Sequence, residues 1–233
     1  SDHPAIVSAL KNWDGHVDAN KAGPLIMTAL FRHLVKGVFE DDLGDVSDLA
    51  FSKAGRSMLG ILTQGGARQW CDVKTTTPVE DCSQIVNAAF DNMVTELTNT
   101  YGSKPTEWRW GNAHHVYNEH RPFSRVWPLS LLFTIEKPAS GSSYTLLRAK
   151  SDLSDENHPY RAKHGAGYRG VYDFSDLNKS VFIQTTGQSG NPFSSHYRDM
   201  ADLWVSGLYV PMSVNPTDYE NNSIGVWTLN PSN

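Results

Sequence analysis

Ser189 stands in Thr186-Gly187-Gln188-Ser189-Gly190-Asn191, between a strand-like run and a helix-like run, where a serine nucleophile could be presented. A nucleophile elbow needs glycine two residues to either side of its serine, so that a strained turn lifts the hydroxyl clear of the backbone. Gly187 meets that demand, but position 191 is Asn and Pro192 follows, which fits a broad structural turn. A serine hydrolase built on Ser189 with His196 or His164 is therefore a competing reading. Ser1 offers a second route, because the α-amino group of a chain-initial serine, with a pKa of about 8, can activate its own hydroxyl. Such a serine normally opens a buried strand, whereas Asp2-His3-Pro4 reads as a helix start with Asp2 as cap.

His114, His115 and His120 raise metal binding, yet no HExxH order is present, and adjacent residues on a strand face opposite ways. They are expected to tie a loop or line a pocket. The acidic run Glu40-Asp41-Asp42, Asp45 and Asp48 lacks the order of an EF-hand loop and reads as solvated, helix-capping acid. Cys71 and Cys82 enclose ten residues. A disulfide between them would stabilise by roughly 2–3 kcal/mol and imply an oxidising compartment such as the periplasm. Two free thiols or half of a metal site are the alternatives, and no histidine stands at ligand spacing beside them.

The 233 residues suffice for one sizeable core, and 39% hydrophobic content with 11% aromatic is globular. A net charge of −5 gives no reason to expect nucleic acid, and Trp108-Arg109-Trp110 is too short for a stacking groove. No apolar run approaches the ~20 residues of a membrane span, and the N-terminus lacks the pattern of a signal peptide. Any export signal is expected to have been removed or to belong to another segment.

The elements that must position these residues fall into two textures: residues 1–103 mainly helical, residues 104–233 mainly strands and loops, together one α+β segment. Ile6, Val7 and Leu10 mark a short helix ending near Trp13-Asp14-Gly15. A second follows Gly23-Pro24, with Leu25, Ile26, Ala29, Leu30, Leu34, Val35, Val38 and Phe39 on a broad apolar face. A third is expected to start at Thr77, with Thr77 as N-cap and Glu80 completing a capping box. Ile85, Ala89, Met93 and Leu97 repeat at four-residue steps before Gly102 ends it. Strands are expected at 144–150, 168–174, 180–186 and 224–229, with a hairpin connection at 173–179 and a surface loop at 151–167.

The stretch from Ser180 to Trp204, followed by Gly207-Leu-Tyr-Val-Pro211, resembles the C-terminal signature of the penicillin acylase family of N-terminal-nucleophile (Ntn) hydrolases. Leu10-Lys-Asn-Trp-Asp-Gly15 is similar to the same family. So are Trp110-Gly-Asn-Ala-His114 with His120-Arg-Pro-Phe123, and His164-Gly-Ala-Gly-Tyr-Arg169 before Asp173-Phe-Ser-Asp176, in the same order. The Trp70-Cys71 to Cys82 arrangement resembles the branch of acyl-homoserine-lactone and aculeacin-type acylases.

The resemblance implies the C-terminal part of a β chain in an αββα sandwich, from a precursor that cuts itself into α and β chains. Companion fragments, the α chain and the N-terminal part of the β chain, would be the partners, in the periplasm or outside the cell. An amide bond of an N-acyl substrate, an acyl-homoserine lactone or a penicillin, would be cleaved by a chain-initial serine on a companion segment, an activity of the quorum-quenching kind. Nucleophile, oxyanion asparagine and any calcium ligands map to no position here, so this chain has no catalytic residue, no cofactor and no metal of its own. Thr76, Thr77 and Glu80 would approach the leaving-group side of the pocket. The remaining competitor is a non-catalytic secreted binding module using the Trp108 to His120 loop.

Overall fold

The structure, a computed structural model, describes residues 3–64, 68–221, 223, 225 and 227–231. Its chain parts into two compact units, residues 1–117 with 136–165, and residues 118–135 with 166–233, where the sequence alone marks one segment.

The first unit is built on helices. α1 (Pro4–Lys11) buries Ile6, and α2 (Gly23–Leu43) takes Pro24 in its first turn, where the missing N–H costs nothing. Gly23 is required by packing: a Cβ there would stand 2.6 Å from Cγ of Trp13, whose indole N–H donates to the His16 carbonyl at 2.7 Å. α3 (Asp48–Lys53) and α4 (Gly55–Gln64) follow, then α5 (Cys82–Tyr101), which packs along α2. Ile85, Ala89, Met93 and Leu97, at the expected spacing, are its buried residues.

The start of α5 differs from the sequence expectation. Asp81 is the N-cap and shares a reciprocal capping box with Gln84, at 2.8 and 2.9 Å. Thr77 and Glu80 lie before the helix, because the carboxylate of Glu80 is drawn back to the preceding loop and Asp81-x-x-Gln84 satisfies the orphan N–H groups instead.

Two cores result. Leu25, Ile26, Ala29, Met93, Leu97, Trp108, Trp110 and Tyr160 close one, and Val35, Val38, Phe39, Met58, Ile61, Cys71 and Ile85 the other. Each fully buried aliphatic side chain contributes about 1.5–3 kcal/mol. After α6 (Trp110–Ala113) comes β1 (His115–Asn118), and with β2 (Ile135–Pro138), β3 (Ala149–Ser151) and β4 (Ala162–Gly165) it forms a sheet of order β2-β1-β4-β3. β1 and β4 run parallel with Val116 opposite Ala162, while β3 and β4 are antiparallel. The expected strand over 144–150 shrinks to its last residues, since Tyr144 and Leu146 are exposed around the turn at Gly141. The expected loop over 151–167 contains β4 instead, drawn in by the buried Tyr160 and Ala162.

In the second unit α7 (Leu129–Phe133) precedes an antiparallel sheet of β5 (Tyr168–Val171), β6 (Val181–Gln184) and β7 (Val210–Pro211), in that order, with α8 (Ala201–Val205) between the last two strands in sequence. Tyr168 pairs with Gln184 and Val171 with Val181, so residues 172–180 connect a hairpin as expected. α9 (Pro216–Glu220) follows. Of the expected strand at 224–229, residues 224 and 226 lie outside the described residues and the rest are not in a strand.

Candidate functional site

Cys71 and Cys82 form a disulfide, their Cα atoms 4.9 Å apart. Cys71 is buried in the core around Val38 and Ile85, while Cys82 opens α5, so the loop between them is pinned at both ends. Glu80 organises its interior. Its carboxylate accepts from the Val73 N–H at 3.1 Å and from the Thr76 hydroxyl. Those donors, Thr76 first, hold its pKa below the usual carboxylate range. On the outer side Lys74 donates its N–H to Asp41 at 2.9 Å and pairs its ammonium with Asp42. Thr76 and Glu80 are thus brought together, with Thr77 exposed beside them.

A polar cleft of about 720 Å³ lies between α2, α5 and the 156–161 segment. Glu96 is its hub: Tyr160 donates to it at 2.5 Å, His33 Nε2 lies at 2.6 Å, and Arg32 at 3.5 Å. Burial, the largest influence, pushes the Glu96 pKa up, but His33, Tyr160 and Arg32 together hold it below the ordinary value. Arg32 also donates to the Leu153 carbonyl at 3.0 Å and to Glu156 at 2.9 Å. Burial and the neighbouring Glu96 drive the Tyr160 phenol well above its ordinary pKa, so it remains a donor. Sequence reading missed this group. The available signal was Arg32 itself, seven residues after Leu25 on a face otherwise apolar, where a charge requires a partner.

The three histidines go to three environments. His114 is wholly buried, stacked on Trp110 with centroids 4.3 Å apart, and Nδ1 donates to the Tyr160 carbonyl at 2.6 Å. Its Nε2 has no partner, and burial pushes its pKa down to about 4. His115 faces Glu136 at 3.0 Å, and His120 stacks on Phe123 and packs against Phe133. Among the described residues no group of three or more His, Cys, Asp or Glu could hold a metal ion. Trp108 and Trp110 are 0% exposed, their indole N–H groups donating to the carbonyls of Gly102 and Gly141. This removes the aromatic face that a binding module at residues 108–120 would need.

The 186–196 turn is structural. Gly187 sits so tightly that a Cβ would meet the His196 carbonyl oxygen at 1.8 Å. Ser189 Oγ accepts from the Asn191 N–H at 3.1 Å, and His196 Nδ1 faces Asp199 at 2.8 Å, so no hydrogen bond joins serine to imidazole among the described residues. His164 lies on β4 in the first unit. Ser1 lies outside the described residues. Arg169 and Trp204 brace the second unit: the guanidinium lies 4.7 Å from the indole centroid and donates to the Trp204 carbonyl, and the Trp204 N–H donates to the Ala166 carbonyl at 2.9 Å.

Acyl-homoserine lactone acylase QuiP of Pseudomonas syringae pv. tomato is 25% identical over 220 residues, 91% of this chain and 26% of that protein. Penicillin acylase 2 proenzyme of Pseudomonas sp. strain SE83 is 28% identical over 202 residues, 86% of this chain and 25% of that protein. The chain therefore spans about a quarter of the length of these curated relatives. Among solved structures, thermostable penicillin G acylase from Alcaligenes faecalis superposes with a TM-score of 0.51 at 13% identity, over all of this chain and 43% of that one. At that identity the likeness is one of fold. A family model described as penicillin amidase matches residues 1–221, and the chain belongs to that family.

Proposed function

We propose that this chain is the C-terminal part of an amidohydrolase that cleaves the amide bond of N-acyl substrates, acyl-homoserine lactones or penicillins. The observation that carries the reading is the family match over residues 1–221. A chain-initial serine on a companion segment gives its proton to its own α-amine and attacks the acyl carbonyl. The amide C–N bond breaks, the amine leaves with that proton, and water then hydrolyses the acyl-serine ester to release the acid and restore the serine. The site geometry is consistent with that division of labour, because Ser189 and His196, one of the two serine–histidine pairings considered from the sequence, are not joined side chain to side chain.

The chain's own contribution is scaffold and pocket wall. Thr76, Thr77 and Glu80 are the proposed contacts on the leaving-group side, carried by a loop that the disulfide and Glu80 fix. The α chain and the N-terminal part of the β chain, cut from the same precursor, are the proposed partners. The disulfide supports a periplasmic or secreted location. No helix among the described residues is long and apolar enough to cross a membrane. No cofactor is required, and any calcium in the assembly would be held by residues of other segments.

Intact-mass analysis of everything that travels with this chain, paired with turnover of an N-acyl-homoserine lactone and of penicillin G, tests the proposal. Turnover is expected only when a companion beginning with serine is present. Full turnover by this chain alone overturns it.

A further inference from the structure

Residues 123–131 of the second unit carry a run of large apolar side chains turned to solvent. Phe123, Val126, Trp127, Leu129 and Leu131 are all exposed, Trp127 at 81% and Leu131 at 77%. α7, which contains Leu129 and Leu131, buries none of its residues. The backbone beneath is nonetheless held. Ser124 Oγ accepts the His120 N–H at 2.8 Å, Arg198 donates to the Leu132 carbonyl at 3.2 Å, and the Tyr197 hydroxyl donates to the Phe133 carbonyl at 2.7 Å. These anchors fix the frame from which the five side chains project.

The apolar area left in water is on the order of 500 Å², from about 200 Å² for the indole and smaller shares for the others. An area of that size matches the largest apolar patch of a typical monomer, which is often a functional surface. Three occupants compete. An anionic lipid surface calls for free cations beside the apolar strip. Here Arg121 and Arg125 share the one carboxylate of Glu119, at 3.3 and 3.5 Å, which leaves a single net positive charge, short of the basic cluster that an anionic surface recruits. A second copy would need about 800 Å² from each partner for a stable dimer, more than the strip offers. Further polypeptide of the same precursor needs no such minimum, since its contact would be one part of a shared core, and the curated relatives carry about three times this chain's length beyond the matched region.

We propose that the 123–131 strip is a docking face for companion polypeptide of the same precursor, which seats an apolar element over Trp127 and Leu131. The inference rests on the reading of this chain as part of a split amidohydrolase. Oxidative footprinting of the protein purified with everything that travels with it, read by mass spectrometry at Trp127 against the denatured protein, tests it. Trp127 is expected to be labelled about tenfold more slowly than in the denatured reference, as in a fully desolvated contact. The double variant Trp127→Asp, Leu131→Asp is expected to release the companions, whereas Trp127→Phe, Leu131→Ile, which keeps the strip apolar, is expected to retain them; release by both variants or by neither would overturn the docking face.

Companions retained with Trp127 labelled as fast as when unfolded would overturn the docking face while leaving the split-enzyme reading intact. An active preparation holding no companion would overturn the reading itself. Protection of Trp127 in a particle of twice this chain's mass, or only on adding phosphatidylglycerol vesicles, would overturn the proposal in favour of a second copy or a lipid surface.

Discussion

His114 is buried as the neutral imidazole, one nitrogen donating to the Tyr160 carbonyl and the other bare, and its pKa falls from 6.5 to about 4. A depressed folded-state pKa means that the unfolded chain binds the proton first. The stabilisation is complete above pH 6.5 and is lost as pH falls towards 4, a total of about 3 kcal/mol by linkage. Urea midpoints followed from pH 7 to 4 should fall accordingly, and His114→Phe should flatten that slope while lowering stability at pH 7, since the Tyr160 carbonyl loses its donor. A midpoint independent of pH over this range in the parent would contradict the buried neutral ring. Glu96 gives a second test at this scale. Glu96→Leu removes the acceptor shared by Tyr160, His33 and the buried Arg32, and should cost about 2 kcal/mol in chemical denaturation, Glu156 still holding one side of the guanidinium. Glu96 was not legible as a site. The histidine pair was legible in part: adjacent rings facing opposite ways are expected to tie a loop or line a pocket, and His114 ties the segment at Tyr160 while His115 lines the cleft beside Glu136. That Trp110 walls in the His114 ring only the fold reveals.

At the scale of elements, periodicity carried the long helices. Pro24 and the four-residue steps from Ile85 to Leu97 identify α2 and α5 because each has enough turns for an apolar face to repeat. The start of α5 was displaced by four residues because two acceptable caps lie within one turn of each other. Asp81→Ala should therefore cost about 1 kcal/mol, whereas Thr77→Ala should be nearly neutral to stability, as read from thermal midpoints. The converse outcome would place the cap at Thr77. β1, β2 and β4 left no comparable trace. Strands of four residues hold at most two alternations, and their pairing joins residues as distant as Val116 and Ala162. Only β5 and β6, joined by a loop rich in Asp, Ser and Asn, had a local turn to announce them.

At the scale of the whole molecule, α+β composition and family were legible because motif order survives across the chain, while the parting into two units was not. The chain passes from one unit to the other near residues 118, 136 and 166; Gly165 and Gly167 flank the last of these points, but the first two lie at the ends of short strands with no glycine-rich stretch to set them off. What the molecule leaves uncovered follows from burial. Tyr144, Leu146, Phe174 and Phe193 stand largely in solvent in addition to the strip at 123–131. Surfaces of this kind drive association when nothing covers them. Under the proposed function, this chain produced alone should run on size exclusion with light scattering as polydisperse species heavier than its 25.9 kDa monomer, and co-expression of the proposed companion segments should restore a single defined particle. The Cys71→Ser, Cys82→Ser pair should leave that association unchanged while lowering stability of the assembled particle by about 2–3 kcal/mol, because the bridge constrains one loop and no exposed apolar face. A monodisperse 25.9 kDa monomer obtained without companions would mean that the exposed apolar side chains are tolerated in water, and the case for a covered surface would fall with it.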